Sequence, residues 1–285
     1  MLLALAASGC RYGFDLSPDA EVVATGAFSP PRLIAELSDP QANDDDPTLT
    51  ADMLELYFES NRFDAGDIFV SRRASIVAPW SAPTLVAELS STSDDETPEV
   101  AADGLTIFLA SNRPGGAGGF DVYTATRANR EAGWSTPVLV SELNTPLTDA
   151  ATATTPDLLD AVFHAEPAAG ANLDIYEATR TSTDSPWSPR RAITELDTPA
   201  AEATPFLTPD GLTLYFISDR PGGAGDLDMY IATRPSRDAP FSPPVPVVEL
   251  NTPSAIQDPW LSADGHRLVL VDNRAGSEDL YEADR

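Results

Sequence analysis

The chain has 285 residues, with 45 acidic side chains against 17 basic ones, and every basic residue is arginine. A formal charge of −28 at pH 7 repels phosphate backbones and argues against nucleic acid as a partner. The single cysteine, Cys10, leaves no disulfide to form within one chain, and no later segment reaches the ~20 apolar residues that span a membrane.

In chain order, the start MLLALAASGC is apolar and places Ala-Ser-Gly before Cys10, the pattern of a bacterial lipoprotein signal in which the cysteine carries the lipid. This predicts a chain anchored in the bacterial cell envelope through Cys10, by lipid alone, with residues 11–27 as a tether. FSPPRLIAEL at 28–37 matches WSAPTLVAEL at 80–89 and WSTPVLVSEL at 134–143.

Beyond that point the chain repeats itself. SNRPGGAGGFDVYTATR at 111–127 returns as SDRPGGAGDLDMYIATR at 218–234. A turn-forming Asp recurs at Asp52, Asp103, Asp157, Asp210 and Asp264, 51 to 54 residues apart. A second Asp precedes an apolar–aromatic pair at Asp67, Asp121, Asp174, Asp228 and Asp279, and an aromatic precedes Ser at Phe28, Trp80, Trp134, Trp187 and Phe241. Five copies of each landmark mean five units.

Within the fourth unit, PFLTPDG leads into the β-rich run LTLYFISD, RPGGAGD leads into LDMYIATR, and PFSPPVPVVEL supplies a last short strand. No segment holds a helical period. Four short strands per unit predict an all-β, five-bladed β-propeller of four-stranded blades. The last unit stops at LYEADR after its third strand, so residues 28–37 are expected to complete the fifth blade and close the ring, leaving one propeller over 28–285 that works as a monomer.

The SPDG, L-x-F-x-S-x-R and D-x-Y elements resemble the TolB-like, WD40-like propeller repeat of bacterial envelope proteins, across roughly residues 28–285. The SNRPGG phrase is similar to repeats in envelope lipoproteins, some of which carry peptidoglycan-binding domains. No such domain accompanies these repeats, so cell-wall attachment is not carried over. The third unit departs most from the pattern, with TPDLLDAVFHAEP in place of TPDGLTLYFISDRP.

Most recurring residues read as scaffold. The Asp-Gly pairs make turns, and Asp67 and its counterparts accept hydrogen bonds from loop backbone or arginine. Arg62, Arg113, Arg220 and Arg274 share one repeat position and suggest an inter-strand Arg–Asp pair, which the third unit lacks because Pro167 stands there. The linkers into the inner strands place Asp44, Asp95, Asp149 and Glu202 at one repeat position. Ile256 breaks the set, with Asp258 two residues on, and Asp45, Asp46, Asp94 and Glu96 reinforce it. These are expected to rim the channel mouth, with Trp260 and Phe206 on inner strands facing a ligand.

Such a ring suits a protein or peptide partner from the envelope, or calcium as a hard cation held by oxygen ligands. No nucleophile elbow, P-loop or metal-hydrolase motif occurs, and His164 and His266 fall at unmatched positions, so no enzymatic activity is expected. A carboxylate pair near Trp260 and Phe206 keeps a carbohydrate-active alternative open, and a calcium-stabilised structural protein is the third reading.

Overall fold

A four-stranded sheet with apolar residues on both faces must be covered on both sides, and stacking such sheets around an axis covers every one of them. The computed structural model describes residues 26–63 and 65–285, and in it the chain forms five four-stranded antiparallel sheets. Cys10 and the tether up to residue 25 lie outside the described residues. The innermost strands are Asp44–Leu49, Asp95–Val100, Asp149–Thr154, Glu202–Leu207 and Ile256–Leu261. Each packs against the innermost strands of both neighbours, so the ring is closed. The architecture is the five-bladed propeller that the repeat predicts.

The second strand of each blade carries the core. Leu56–Phe58, Ile107–Leu109, Ala161–Phe163, Leu214–Phe216 and Leu268–Leu270 are consecutive apolar triplets, and all are buried. They read as unbroken apolar runs rather than alternating ones because a neighbouring blade lies over each face. The Leu at the end of each outer segment (Leu37, Leu89, Leu143, Leu196 and Leu250) is also fully covered. Its backbone N–H closes a tight turn, as from Leu89 to the Val86 carbonyl at 3.0 Å.

The fifth blade is completed from the other end of the chain. Arg32 and Leu33 pair antiparallel with Glu282 and Tyr281, flanked by backbone bonds from Ser29 to Asp284 (2.8 Å) and from Ile34 to Leu280 (2.9 Å). Arg285 stacks over Phe28 at 4.2 Å, as Arg127 does over Trp134 and Arg234 over Phe241. The chain ends thus rebuild a contact that other blades make within one unit.

The expected Arg–Asp pairs are present, with different acids. Arg62, Arg113 and Arg220 bind the residues that open the inner strands: Asp44, Asp95 and Glu202. Each guanidinium also donates to the carbonyl of Leu37, Leu89 or Leu196. Asp121 and Asp228 instead accept loop N–H groups, from Ala117 and Gly118 and from Ala224 and Gly225. That explains part of the glycine-rich phrase: a Cβ on Gly116 would lie 2.0 Å from the Asp121 carboxylate, and one on Gly223 1.7 Å from that of Asp228.

The third blade does not lack the pair. Arg190, reached through a different loop, binds Asp149 and stacks over Tyr176 at 4.4 Å, where Arg113 stacks over Tyr123 and Arg220 over Tyr230. In the fifth blade the carboxylate has changed strands: Ile256 faces Asp272 across the ladder, and Arg274 binds Asp272.

Removing Arg190 would leave Asp149, whose side chain is 0% exposed, as a buried charge without its partner. Arg190→Ala should therefore cost about 3–5 kcal/mol. Arg191→Ala, which breaks a pair whose arginine is 58% exposed, should cost roughly 0.2–1 kcal/mol. Urea unfolding of the two variants checks this; equal midpoints would refute a structural role for the Arg190 pair.

Candidate functional site

The four carboxylates expected to rim the channel mouth are placed otherwise. Asp44, Asp95, Asp149 and Glu202 are 0% exposed and lie inside the blades. Each also accepts a backbone N–H from the linker before it, from Asp39, Ser91, Thr145 and Thr198 respectively. Their oxygens are consumed by arginine and backbone, which leaves no face for a partner. The physical reason is that a carboxylate opening an inner strand has its own blade's arginine within reach, and pairing removes it from solvent.

The chain turns toward the axis two residues later. In every blade the register between innermost and second strand jumps at the same place, between Asp45 and Thr48, Glu96 and Glu99, Ala150 and Ala153, Ala203 and Phe206, and Gln257 and Trp260. Each of these β-bulges holds a non-glycine residue in the left-handed region: Asp46 (φ 51°), Thr97 (46°), Ala151 (51°), Thr204 (40°) and Asp258 (48°). Such a conformation costs about 1–2 kcal/mol at each position, and bulges re-aim side chains.

The bulges are linked around the channel. The Thr97 N–H donates to Asp46 (3.0 Å), and the Ala151 N–H donates to the Thr97 hydroxyl (3.1 Å). Ala151 has no acceptor to pass on, and His164 of the same blade supplies one, taking the Thr204 N–H on Nδ1 at 3.2 Å. Burial holds the His164 pKa down to about 4, so the ring is neutral, with its proton on Nε2.

At the junction of the fifth and first blades, two bulge aspartates meet. One carboxylate oxygen from each of Asp45, Asp46 and Asp258 lies within 4.8 Å of the other two. Asp258 is 8% exposed, and its Oδ1 has no hydrogen-bond partner among the described residues. Further acids surround the three. Burial, then Asp46 and Asp45, pushes Glu59 up to about 9, and burial, then Asp94 and Asp45, pushes Glu96 up to about 7. Burial raises Asp258 and Asp46 well above the ordinary carboxylate range; repulsion from Asp46 and Asp45 adds to it at Asp258, and repulsion from Asp45 and Glu96 at Asp46.

Of these groups Asp46 and Asp258 open onto a cavity of about 40 Å³ on the axis, which Glu99, Thr152, Phe206 and Trp260 also line. Burial raises Glu99 to about 8, and the Thr48 hydroxyl donates to it at 2.9 Å. Thr152 is buried, with a hydroxyl that finds no partner among the described residues. The space holds about three waters, or an ion with part of its hydration shell. Three carboxylates and a hydroxyl are hard oxygen donors, the set that calcium takes.

Of the seven binding residues expected from sequence, the structure brings Asp258, Phe206 and Trp260 together and leaves Asp44, Asp95, Asp149 and Glu202 in the blades. Sequence reasoning missed Glu59, Glu99, Thr152 and the role of His164. The signals were present. Glu99 occupies the repeat position of Phe206 and Trp260, and Glu59 and His164 occupy one that Ala110, Ile217 and Val271 fill elsewhere.

No protein-family model matches the chain, and no curated protein matches it. Solved structures do. The chain is similar to an endo-arabinase from Bacteroides thetaiotaomicron (TM-score 0.59, 12% identity, 91% of this chain and 98% of that one). It is similar to an α-L-arabinofuranosidase from Lactobacillus brevis (0.58, 13%, 89% and 94%). It is also similar to a putative TolB from Agrobacterium tumefaciens (0.51, 16%, 87% and 79%). At these identities the likeness shows the propeller fold. It also corrects the expectation, drawn from missing motifs, that the chain has no enzymatic activity: several glycoside hydrolases share its architecture, so the fold is one on which catalysis occurs.

Proposed function

We propose that the protein is a binding propeller of the bacterial envelope, anchored through a lipid on Cys10, whose axial channel holds a divalent cation between Asp45, Asp46 and Asp258. The observation that carries this reading is the meeting of three carboxylates around an unpartnered, buried Asp258 oxygen with no basic residue lining the cavity. Like charges at this spacing are stable only if protons or a cation compensate them. Calcium fits the oxygen donors and the size of the space. The resemblance to TolB-like envelope repeats supports a protein or peptide partner at the acidic end of the channel, where the bound ion would set the local charge.

A second reading has its own observation. Glu99, protonated at neutral pH, and Asp46 line one cavity with Phe206 and Trp260, and glycosidases work with two carboxyl groups flanking the sugar. A pentose ring exceeds 40 Å³, so the sugar would have to sit at the channel mouth. Hydrolysis of arabinan by the purified protein, lost in Glu99→Gln, would favour this reading; no hydrolysis across arabinan and arabinoxylan would remove its support.

Melting in calcium against chelator tests the cation. At a hundredfold excess over Kd, binding to the folded state adds about 2.7 kcal/mol, which raises Tm by about 5–10 °C for a chain of this size. Asp258→Asn should abolish that rise. No calcium-dependent rise at any pH would refute the site.

The pH dependence has a definite sign. Glu96, Glu99 and Glu59 titrate at about 7, 8 and 9 in the folded protein, against an ordinary value of 4.5. Between these limits the folded state binds more protons than the unfolded one, so stability is lost as pH rises. In chelator, Tm should fall from pH 5 to pH 9. Calcium, which needs the deprotonated acids, should flatten that fall, and its effect should be larger at pH 8 than at pH 5.

A further inference from the structure

Where one blade meets the next, an arginine stacked on the aromatic of its own 3–4 loop can reach back to the preceding blade. Arg127, 4.4 Å over Trp134, binds Glu55 of the first blade, and Arg234, 4.5 Å over Phe241, binds Glu177 of the third at 3.2 Å. A second arginine three residues on reinforces each junction: Arg130 binds Asp52, and Arg237 binds Asp157 at 3.1 Å and Asp160 at 2.8 Å. A guanidinium meets a carboxylate of the neighbouring blade each time.

The other junctions lack this bridge among the described residues: Arg180, over Trp187, and Arg285, over Phe28, bind only backbone carbonyls, and the junction that closes the ring adds a groove. Arg73 stacks over Trp80 at 4.2 Å and donates Nε to the Met53 carbonyl at 2.8 Å, as the pattern requires. Its buried Nη2 has no partner among the described residues. Glu282, at the repeat position of Glu177, lies near Arg73 but is bound by Arg32 at 3.1 Å and by Arg267 at 3.5 Å, and Arg73 makes no ion pair among the described residues. The position that Glu55 holds in the first blade and Asp160 in the third is Arg267, whose charge adds to burial in lowering the Arg73 pKa. Ile76 stands where Arg130 and Arg237 stand, and Val77, 88% exposed, follows it.

The result is a groove of about 390 Å³ between Arg32, Arg73 and Arg267 on one side and Ile76, Val77 and Trp80 on the other. Glu282 and Asp284 neutralise Arg32 and Arg267 in part, and Arg73 makes no ion pair among the described residues. With three arginines against Glu36 and Glu282, its lining is net positive in a chain of charge −28. It lies at the opposite end of the blades from Asp45 and Asp258, because Arg267 begins a second strand and the aspartates lie near the start of antiparallel innermost ones.

We infer that this groove is a binding site for an apolar carboxylate, the chemistry of a peptide C-terminus ending in an apolar residue. The ligand carboxylate takes at Arg73 the place that Glu55 takes at Arg127 and Glu177 at Arg234, and its side chain lies against Ile76, Val77 and Trp80. A carboxylate held by a guanidinium away from bulk water forms the stronger class of hydrogen bond. The volume is that of a small-ligand pocket. The site is separate from the channel and does not depend on the cation there.

N-acetyl-phenylalanine is the probe, its neutral amide the control, and calorimetry or the change in Trp80 emission the readout. The acid should bind at least tenfold more tightly than the amide. Arg73→Gln should abolish that preference. Because Arg73 also packs on Trp80, a second variant keeps it in place. Arg267→Glu with Asp284→Arg copies the Glu55–Arg72 arrangement of the first blade and gives Arg73 an internal acid. This variant should melt no lower than wild type and lose the probe. Asp258→Asn should bind the probe as wild type does. Equal binding of acid and amide, no binding of either, or undiminished binding by the double variant would overturn the assignment.

Discussion

A buried arginine–carboxylate pair at one end of every blade is the constraint from which the rest of the propeller follows. Each carboxylate has been taken out of water, which is unfavourable unless a guanidinium and backbone N–H groups replace the hydration shell. The pair supplies both. It ties the start of the innermost strand to the end of the second strand and to the Leu carbonyl of the preceding linker, as Arg113 does with Asp95 and Leu89. Two blades show how strictly the requirement holds. Where Pro167 replaces the arginine, Arg190 arrives from another loop; where Ile256 replaces the carboxylate, Asp272 offers one from the facing strand. Charge complementarity at that point in space is kept, while the sequence positions that provide it are free to move.

Anchoring the strand start makes the bulge that follows affordable in conformational terms. Once Asp44 or Asp95 is held, the next residues turn toward the axis through a left-handed residue, and the strain is met by bonds between neighbouring bulges. Asp46, Thr97 and His164 form successive links of that belt. Among the described residues the belt has no bond where the fourth blade meets the fifth or where the fifth meets the first, and at the latter two aspartates face each other with a third beside them. The acidic cluster is therefore a local consequence of which side chains fill the bulge positions. It sits on a scaffold that tolerates its repulsion because each blade is fastened independently.

The five-unit count and the ring closure by residues 28–37 were legible because repetition and strand-end matching survive any detail of side-chain direction. The acidic rim was misplaced for the converse reason. Asp44, Asp95, Asp149 and Glu202 recur in register, and recurrence alone does not distinguish a ligand-facing carboxylate from one buried against arginine. Asp45 and Asp46, adjacent in sequence to Asp44, have a different environment because the bulge breaks the alternation of strand faces. Period-two reasoning fails at a bulge, and the left-handed residues that betray it are Asp, Thr and Ala rather than Gly. Glu59, Glu99 and His164 were recoverable from the alignment as polar residues at positions that are apolar or aromatic in other blades.

The ends of the propeller differ in what they leave unpaired. Around the acidic end of the channel the acids outnumber the cations, because the arginines there are committed to the blade pairs. At the opposite end, arginines bridge the first blade to the second and the third to the fourth, and Arg73 is left facing Arg267 at the junction where the ring closes. The strand beside this junction comes from the start of the chain, and its Arg32 engages Asp284 and Glu282, the acid that shares the groove with Arg73. Joining the chain ends by that ion pair diverts the carboxylates of the last blade to its own outer strand. The groove at this junction thus follows from how the ring is closed, just as the acidic channel follows from how its inner strands bend.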